Sequence, residues 1–94
     1  MSKYTLTHLR DDVLLRDLSA LIARDRFTTA LLLAYIAEVD TRKLYVAAGH
    51  PSMFAYCTEH LHLSESAAYR RIAAARAAQR FPALFSAIAE GNSI

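Results

Sequence analysis

The chain has one cysteine, two glycines, two prolines and no tryptophan in 94 residues. A lone Cys57 cannot close an internal disulfide, which excludes the cross-linked frameworks of small secreted domains. So little Gly and Pro excludes collagen-like and linker-like chains, and leaves no glycine-rich loop to cradle a phosphate. The longest unbroken apolar run, Ala30 to Ala37, falls far short of the roughly 20 residues of a membrane span. Met1-Ser2-Lys3-Tyr4-Thr5 has no apolar signal core behind it. A soluble cytoplasmic protein is the expectation.

What is present is apolar residue in quantity, 54% of the chain against 21% charged. A chain of this length buries roughly 60–68% of its unfolded surface, enough for one modest core. Residues 1–94 therefore read as a single domain. The formal net charge is only +2, but it is unevenly placed. Between Ser66 and Ala89 stand Arg70, Arg71, Arg76 and Arg80 with no acid among them, whereas residues 1–40 are nearly balanced. A basic segment in a near-neutral chain has the look of a polyanion-binding surface. It is equally the look of solvated arginines on an alanine-rich helix.

Helical periodicity runs through almost every stretch, and no alternating strand pattern appears. The expected fold is all-α, a small bundle of four or five short helices. Asp11-Asp12 favours a helix start, with Leu14, Leu18, Leu21 and Ile22 as the apolar stripe and Leu15 beside it. The pattern changes at Arg26 to Thr29, where Thr28 or Thr29 is placed to cap a second helix running from Ala30 to about Arg42. That second helix is apolar on several faces, so Leu32, Leu33 or Ile36 is expected in a homodimer interface. A connector from Lys43 to His50 follows, held to the core by Leu44, Tyr45 and Val46. Pro51 or Ser52 then opens a third helix to about His60, burying Met53, Phe54, Cys57 and Leu61. Ser64 caps a fourth helix to about Arg80. The fifth, Pro82 to Glu90, ends at Gly91.

Residues 52–80 read helix, short turn, helix, the order of a helix-turn-helix. Leu63 is expected under the turn, and His62 stands where such turns carry glycine. Histidine tolerates left-handed backbone better than most residues, so the turn survives. On a wheel of about 100° per residue, Ala68, Ile72, Ala75 and Gln79 face inward. Ser66, Arg70, Ala73 and Ala77 lie opposite, flanked by Tyr69, Arg76 and Arg80. Arginine forks onto guanine or clamps a phosphate, and tyrosine donates to phosphate. The candidate DNA contacts are Ser64, Ser66, Tyr69, Arg70 and Arg71, with Arg76 and Arg80 on flanking phosphates. Four to six such contacts give a log–log salt slope of about −4 to −5.

Five stretches carry a resemblance: residues 32–40 (Leu-Leu-Ala-Tyr-Ile-Ala-Glu-Val-Asp), Arg42 to Tyr45, Ser52 to Cys57, Leu63 to Ile72 with Arg76, and Arg80-Phe81-Pro82. Together the chain from about Asp11 to Gly91 resembles the N-terminal helical region that precedes HNH endonuclease domains in bacterial, especially myxobacteria-like, proteins. The resemblance implies a DNA-associated, targeting role. It implies no catalytic residue, since the nuclease motif is not in this sequence.

Other constellations are weaker. Cys57, Glu59, His60 and His62 fit no common closed zinc spacing, and turn histidines are the stronger reading; no metal is expected. Asp11-Asp12 reads as helix-terminal charge rather than a catalytic pair. Cys57 and His60 share one short helix, with the thiol on its apolar side, so an inert buried cysteine outweighs a nucleophile. Tyr35, Tyr45 and Tyr56 read as core packing rather than a stacking platform for single strands. The expectation is a non-enzymatic duplex-DNA-binding module, with no cofactor, no small-molecule substrate and no membrane. The alternative is a helical interaction or oligomerisation module using Ala73 and Ala77 or the second helix.

Overall fold

The computed structural model describes residues 3–91; Met1-Ser2 and residues 92–94 of the expected domain lie outside it. Among the described residues there are five helices and no strand: α1 (Asp11–Arg42), α2 (Leu44–Ala47), α3 (Met53–Ala55), α4 (Glu65–Arg80) and α5 (Ala83–Ala89). The all-α expectation holds.

The largest correction is α1. The expected first and second helices are one continuous 32-residue helix, and Thr28 and Thr29 lie inside it rather than capping anything. Neither Gly nor Pro interrupts Arg26 to Thr29, and two threonines do not outweigh the favourable residues around them. At 1.5 Å per residue the helix is about 48 Å long, which accounts for nearly all of the molecule's 50 Å greatest extent. The radius of gyration is 16.8 Å, against about 12 Å for a compact domain of this length. The molecule is a small bundle with a long helix protruding from it.

Every buried residue of α1 lies at Ala30 or beyond: Ala30, Leu33, Ile36 and Ala37. Leu33, Ile36 and Ala37 pack with Met53, Cys57, Ala68, Ile72 and Ala75, and Tyr45, Leu63, Phe85 and Ile88 close the edges. Leu33 and Ile36, expected in a dimer interface, are thus held by the chain's own core, while Leu32 is exposed. The leucine stripe of the first half of α1 meets no core at all: Leu14, Leu15, Leu18, Leu21 and Ile22 are exposed. Lys43 ends α1 in left-handed conformation (φ 54°, ψ 38°), its amide bonding back to Asp40.

The connector forms a single turn, α2. Ser52 caps α3, its Oγ accepting the Ala55 amide at 3.0 Å. The helix then widens into a π-helical turn, Tyr56–His60. Met53 and Cys57 are buried as expected, but Phe54 and Leu61 are exposed. His62 adopts φ +60°, and the Leu63 amide reaches back to the Cys57 carbonyl at 3.0 Å. A left-handed residue after the last turn is the usual way to satisfy such a carbonyl. Ser64 caps α4 by accepting the Ala67 amide at 3.1 Å. Gly91 follows α5 with φ +90°, and a Cβ there would fall 2.8 Å from the Arg26 guanidinium.

Candidate nucleic-acid interface

The geometry of α4 decides which side chains it offers outward. Its buried residues are Ala68, Ile72, Ala75 and Ala78, whereas Gln79 is exposed. The inward stripe is therefore turned toward Ala78, because α5 covers the helix as well as α1 and α3. The centre of the outward face then holds Ser66, Ala73, Ala77 and Arg80, with Tyr69 and Arg70 on its two shoulders. Tyr69 is 72% exposed.

Ser64 and Ser66 sit at the helix N-terminus with their hydroxyls 3.5 Å apart. Glu65 stands in the same first turn, so a carboxylate already complements the positive end of the helix dipole. Any phosphate there competes with it, and the weight of anion binding falls on the arginines further along.

Those arginines are not equivalent. Arg70 is exposed, its Nε donating to the Ser66 carbonyl at 3.3 Å. Arg71 is half-buried and turned further toward α1, and the two arginines together line a groove with Thr29, Leu33 and Ala74. Arg80 is exposed, with its guanidinium 5.7 Å from the Phe81 ring centre. None of these three makes an ion pair among the described residues. Arg76 differs: its Nε and Nη2 fork onto Asp40 at 2.8 and 3.1 Å. That bond raises the Arg76 pKa above its ordinary value and compensates its charge. Arg76 is thus committed to α1, and the uncompensated set on α4 is Arg70, Arg71 and Arg80.

Sequence reading missed the Arg76–Asp40 pair, though a signal existed. Asp40 follows Ile36 and Ala37 at helical spacing, so a carboxylate in the register of the buried stripe calls for a cation across the core. It also missed a ring cluster at the turn. Tyr56 and His60 stack at 4.8 Å, His50 meets both edge-on, and His50 Nδ1 lies 3.1 Å from Glu59 Oε2. Tyr45 and Tyr56 pack against the core as expected, but Tyr35 is 71% exposed.

Cys57 is fully buried. Burial pushes its thiol pKa up, with a smaller push from the charge of Asp40. A thiol held neutral in this way is a poor nucleophile. Among the described residues no group of three or more His, Cys, Asp or Glu is placed to hold a metal ion, and no helix is long and apolar enough to cross a membrane. Compared with known proteins, the chain matches no family model, no curated protein and no solved structure.

Proposed function

We propose that this chain is a non-catalytic duplex-DNA-binding module in which α3, the His62 turn and α4 act as a helix-turn-helix. The observation that carries the reading is the outward face of α4. Arg70 and Arg80 stand there beside small residues and the exposed Tyr69, with no carboxylate on the helix beyond Glu65. Small side chains at Ser66, Ala73 and Ala77 let a helix approach a groove closely. Guanidinium groups at its edges neutralise phosphates, and Arg70 is placed to reach a base edge. The resemblance to the helical region ahead of HNH nucleases favours the same reading and adds a targeting role beside a nuclease.

The contact set is Ser64, Ser66, Tyr69, Arg70 and Arg80; Arg71 turns toward α1 and leaves the set, and Arg76 supports the fold. The two exposed, uncompensated arginines per chain, Arg70 and Arg80, give a log–log salt slope of about −2. Fluorescence titration of a labelled duplex across a salt series reads this directly. Binding that weakens along that slope, and weakens further in Arg70→Ala, supports the proposal. Absence of binding at low salt, or affinity insensitive to salt, overturns it in favour of a protein-interaction module.

A further inference from the structure

The protruding half of α1 presents the largest unexplained feature of the surface. Leu14, Leu15, Leu18, Leu21 and Ile22 all point to one side of it and are exposed, Leu18 at 53% and Leu21 at 59%. Leu6 and Leu9 extend the patch into a shallow apolar groove with Leu14, Leu15, Leu18 and Leu21. A contiguous apolar surface of this kind marks an interaction site. The chain exposes 7072 Å², whereas a compact monomer of 10.5 kDa exposes about 5,400 Å². A standard interface hides about 800 Å² per partner, so the surplus is ample for one.

We infer that a second copy of this chain covers the stripe, the two α1 helices packing antiparallel through their free halves. The inference stands apart from DNA binding and does not depend on it.

Charge selects the occupant and the direction. One flank of the stripe carries Arg10, Asp17 and Arg24 at seven-residue intervals, with the sign alternating. In a two-fold antiparallel pair each flank meets the same flank of its partner. A stagger that sets Asp17 level with the partner's Arg24 makes the reciprocal pair by symmetry. Arg24 makes no ion pair among the described residues, and Asp17 has only the exposed neighbour Arg16 at 3.6 Å. Parallel packing is disfavoured because Asp11 and Asp25 lie on the stripe itself and would each face their own copy across the seam.

Length agrees with this register. Setting residue 17 level with the partner's residue 24 sets residue 11 level with the partner's residue 30. Asp11 begins α1 and Ala30 is its first buried residue. Each helix therefore runs along the free half of the other, its start level with the first buried residue of its partner's α1.

The test is sedimentation equilibrium of the whole chain at roughly 100 μM, well above the micromolar Kd at the weak end for interfaces of standard size. The native protein is expected as a dimer and Leu18→Asp as a monomer with an unchanged circular dichroism spectrum. Asp17→Arg weakens the dimer, and Asp17→Arg with Arg24→Asp restores it without altering the apolar stripe. Direction is read by cross-linking, since Cys57 is buried. Leu21→Cys, close to the two-fold axis, oxidises to a covalent dimer while Leu14→Cys does not. A native monomer overturns the inference and leaves the stripe to a different protein. A dimer indifferent to Leu18→Asp, a charge swap without rescue, or cross-linking through Leu14→Cys overturns it equally.

Discussion

Arg76 and Asp40, 36 residues apart in sequence, form a forked ion pair that ties α4 to the C-terminal end of α1. The carboxylate is largely covered, with 16% of its side chain exposed, while the guanidinium is 60% exposed. The pair joins α4 to the end of α1 and so helps fix how α4 lies on the long helix, which sets the direction of its outward face.

Removing one partner tests that role. Exposed ion pairs contribute about 0.2–1 kcal/mol, but a forked pair on a covered carboxylate belongs to the stronger class. Arg76→Ala leaves Asp40 without its donor and is expected to cost about 1–2 kcal/mol in denaturant unfolding. Its DNA affinity, corrected for the folded fraction, falls less than that of Arg70→Ala. A stable Arg76→Ala protein that has lost DNA binding returns Arg76 to the contact set.

His62 makes a second test at the turn. Its φ of +60° costs a side chain with a Cβ about 1–2 kcal/mol. Glycine relieves that strain but loses more backbone entropy, about 0.5–1 kcal/mol. His62→Gly is therefore expected to be neutral or stabilising by up to about 1.5 kcal/mol. His62→Val, β-branched and intolerant of this conformation, destabilises by about 1–2 kcal/mol. Paired thermal melts check both, and a His62→Val protein as stable as the native one removes the turn from the account.

Much of this was legible in the sequence where local chemistry decides it. Ser64 is a helix cap, Gly91 closes α5, and His62 is left-handed, all from residue types whose backbone preferences are strong, whereas Ser52, expected as a helix start, proves to be the cap of α3. The join at Arg26 to Thr29 was not legible, because a polar interruption reads as a break only if the helix has nothing to gain by continuing. The leucine stripe misled for a related reason. Amphipathic spacing predicts a covered face but does not say whether the cover comes from the same chain. On α4 the periodicity gave Ala68, Ile72 and Ala75, yet α5 turned the stripe toward Ala78, and Arg71 went inward with it. Long-range pairing was the least visible: nothing near Arg76 in sequence names Asp40.

Cys57 gives a pH test whose sign follows from its burial. Its thiol pKa is raised, first by loss of solvent and then by Asp40. The folded state therefore holds the proton where the unfolded chain releases it. Any stability linked to that proton is complete below the ordinary thiol pKa and is lost as pH climbs through the raised folded value. Unfolding free energy is expected to decline from about pH 9 upward, more steeply than in Cys57→Ala, which lacks the group. A thiol reagent at neutral pH should modify the native protein only as fast as it opens. Prompt modification of the folded protein contradicts the burial on which the argument rests.

The last test separates the face of α4 proposed to bind DNA from the face that folds. Arg70 is exposed and Ile72 is buried against Met53, Cys57 and Leu33, though the two are neighbours in sequence. Arg70→Ala removes a solvated side chain whose one hydrogen bond goes to the Ser66 carbonyl in its own helix. Such surface changes stay within about 0.5 kcal/mol of native stability. Loss of a base or phosphate contact weakens DNA binding by about 1–3 kcal/mol. Ile72→Ala works the other way, opening a cavity in the core at a cost of about 2–5 kcal/mol. Under conditions where that variant remains folded, its DNA affinity should match the native protein, because Ile72 faces away from the proposed interface. Thermal melts and duplex titrations on both proteins give four numbers that must fall in this crossed pattern. An Arg70→Ala protein that melts early with undiminished DNA affinity means that α4 presents a different face to DNA, and the proposed contact set fails with it.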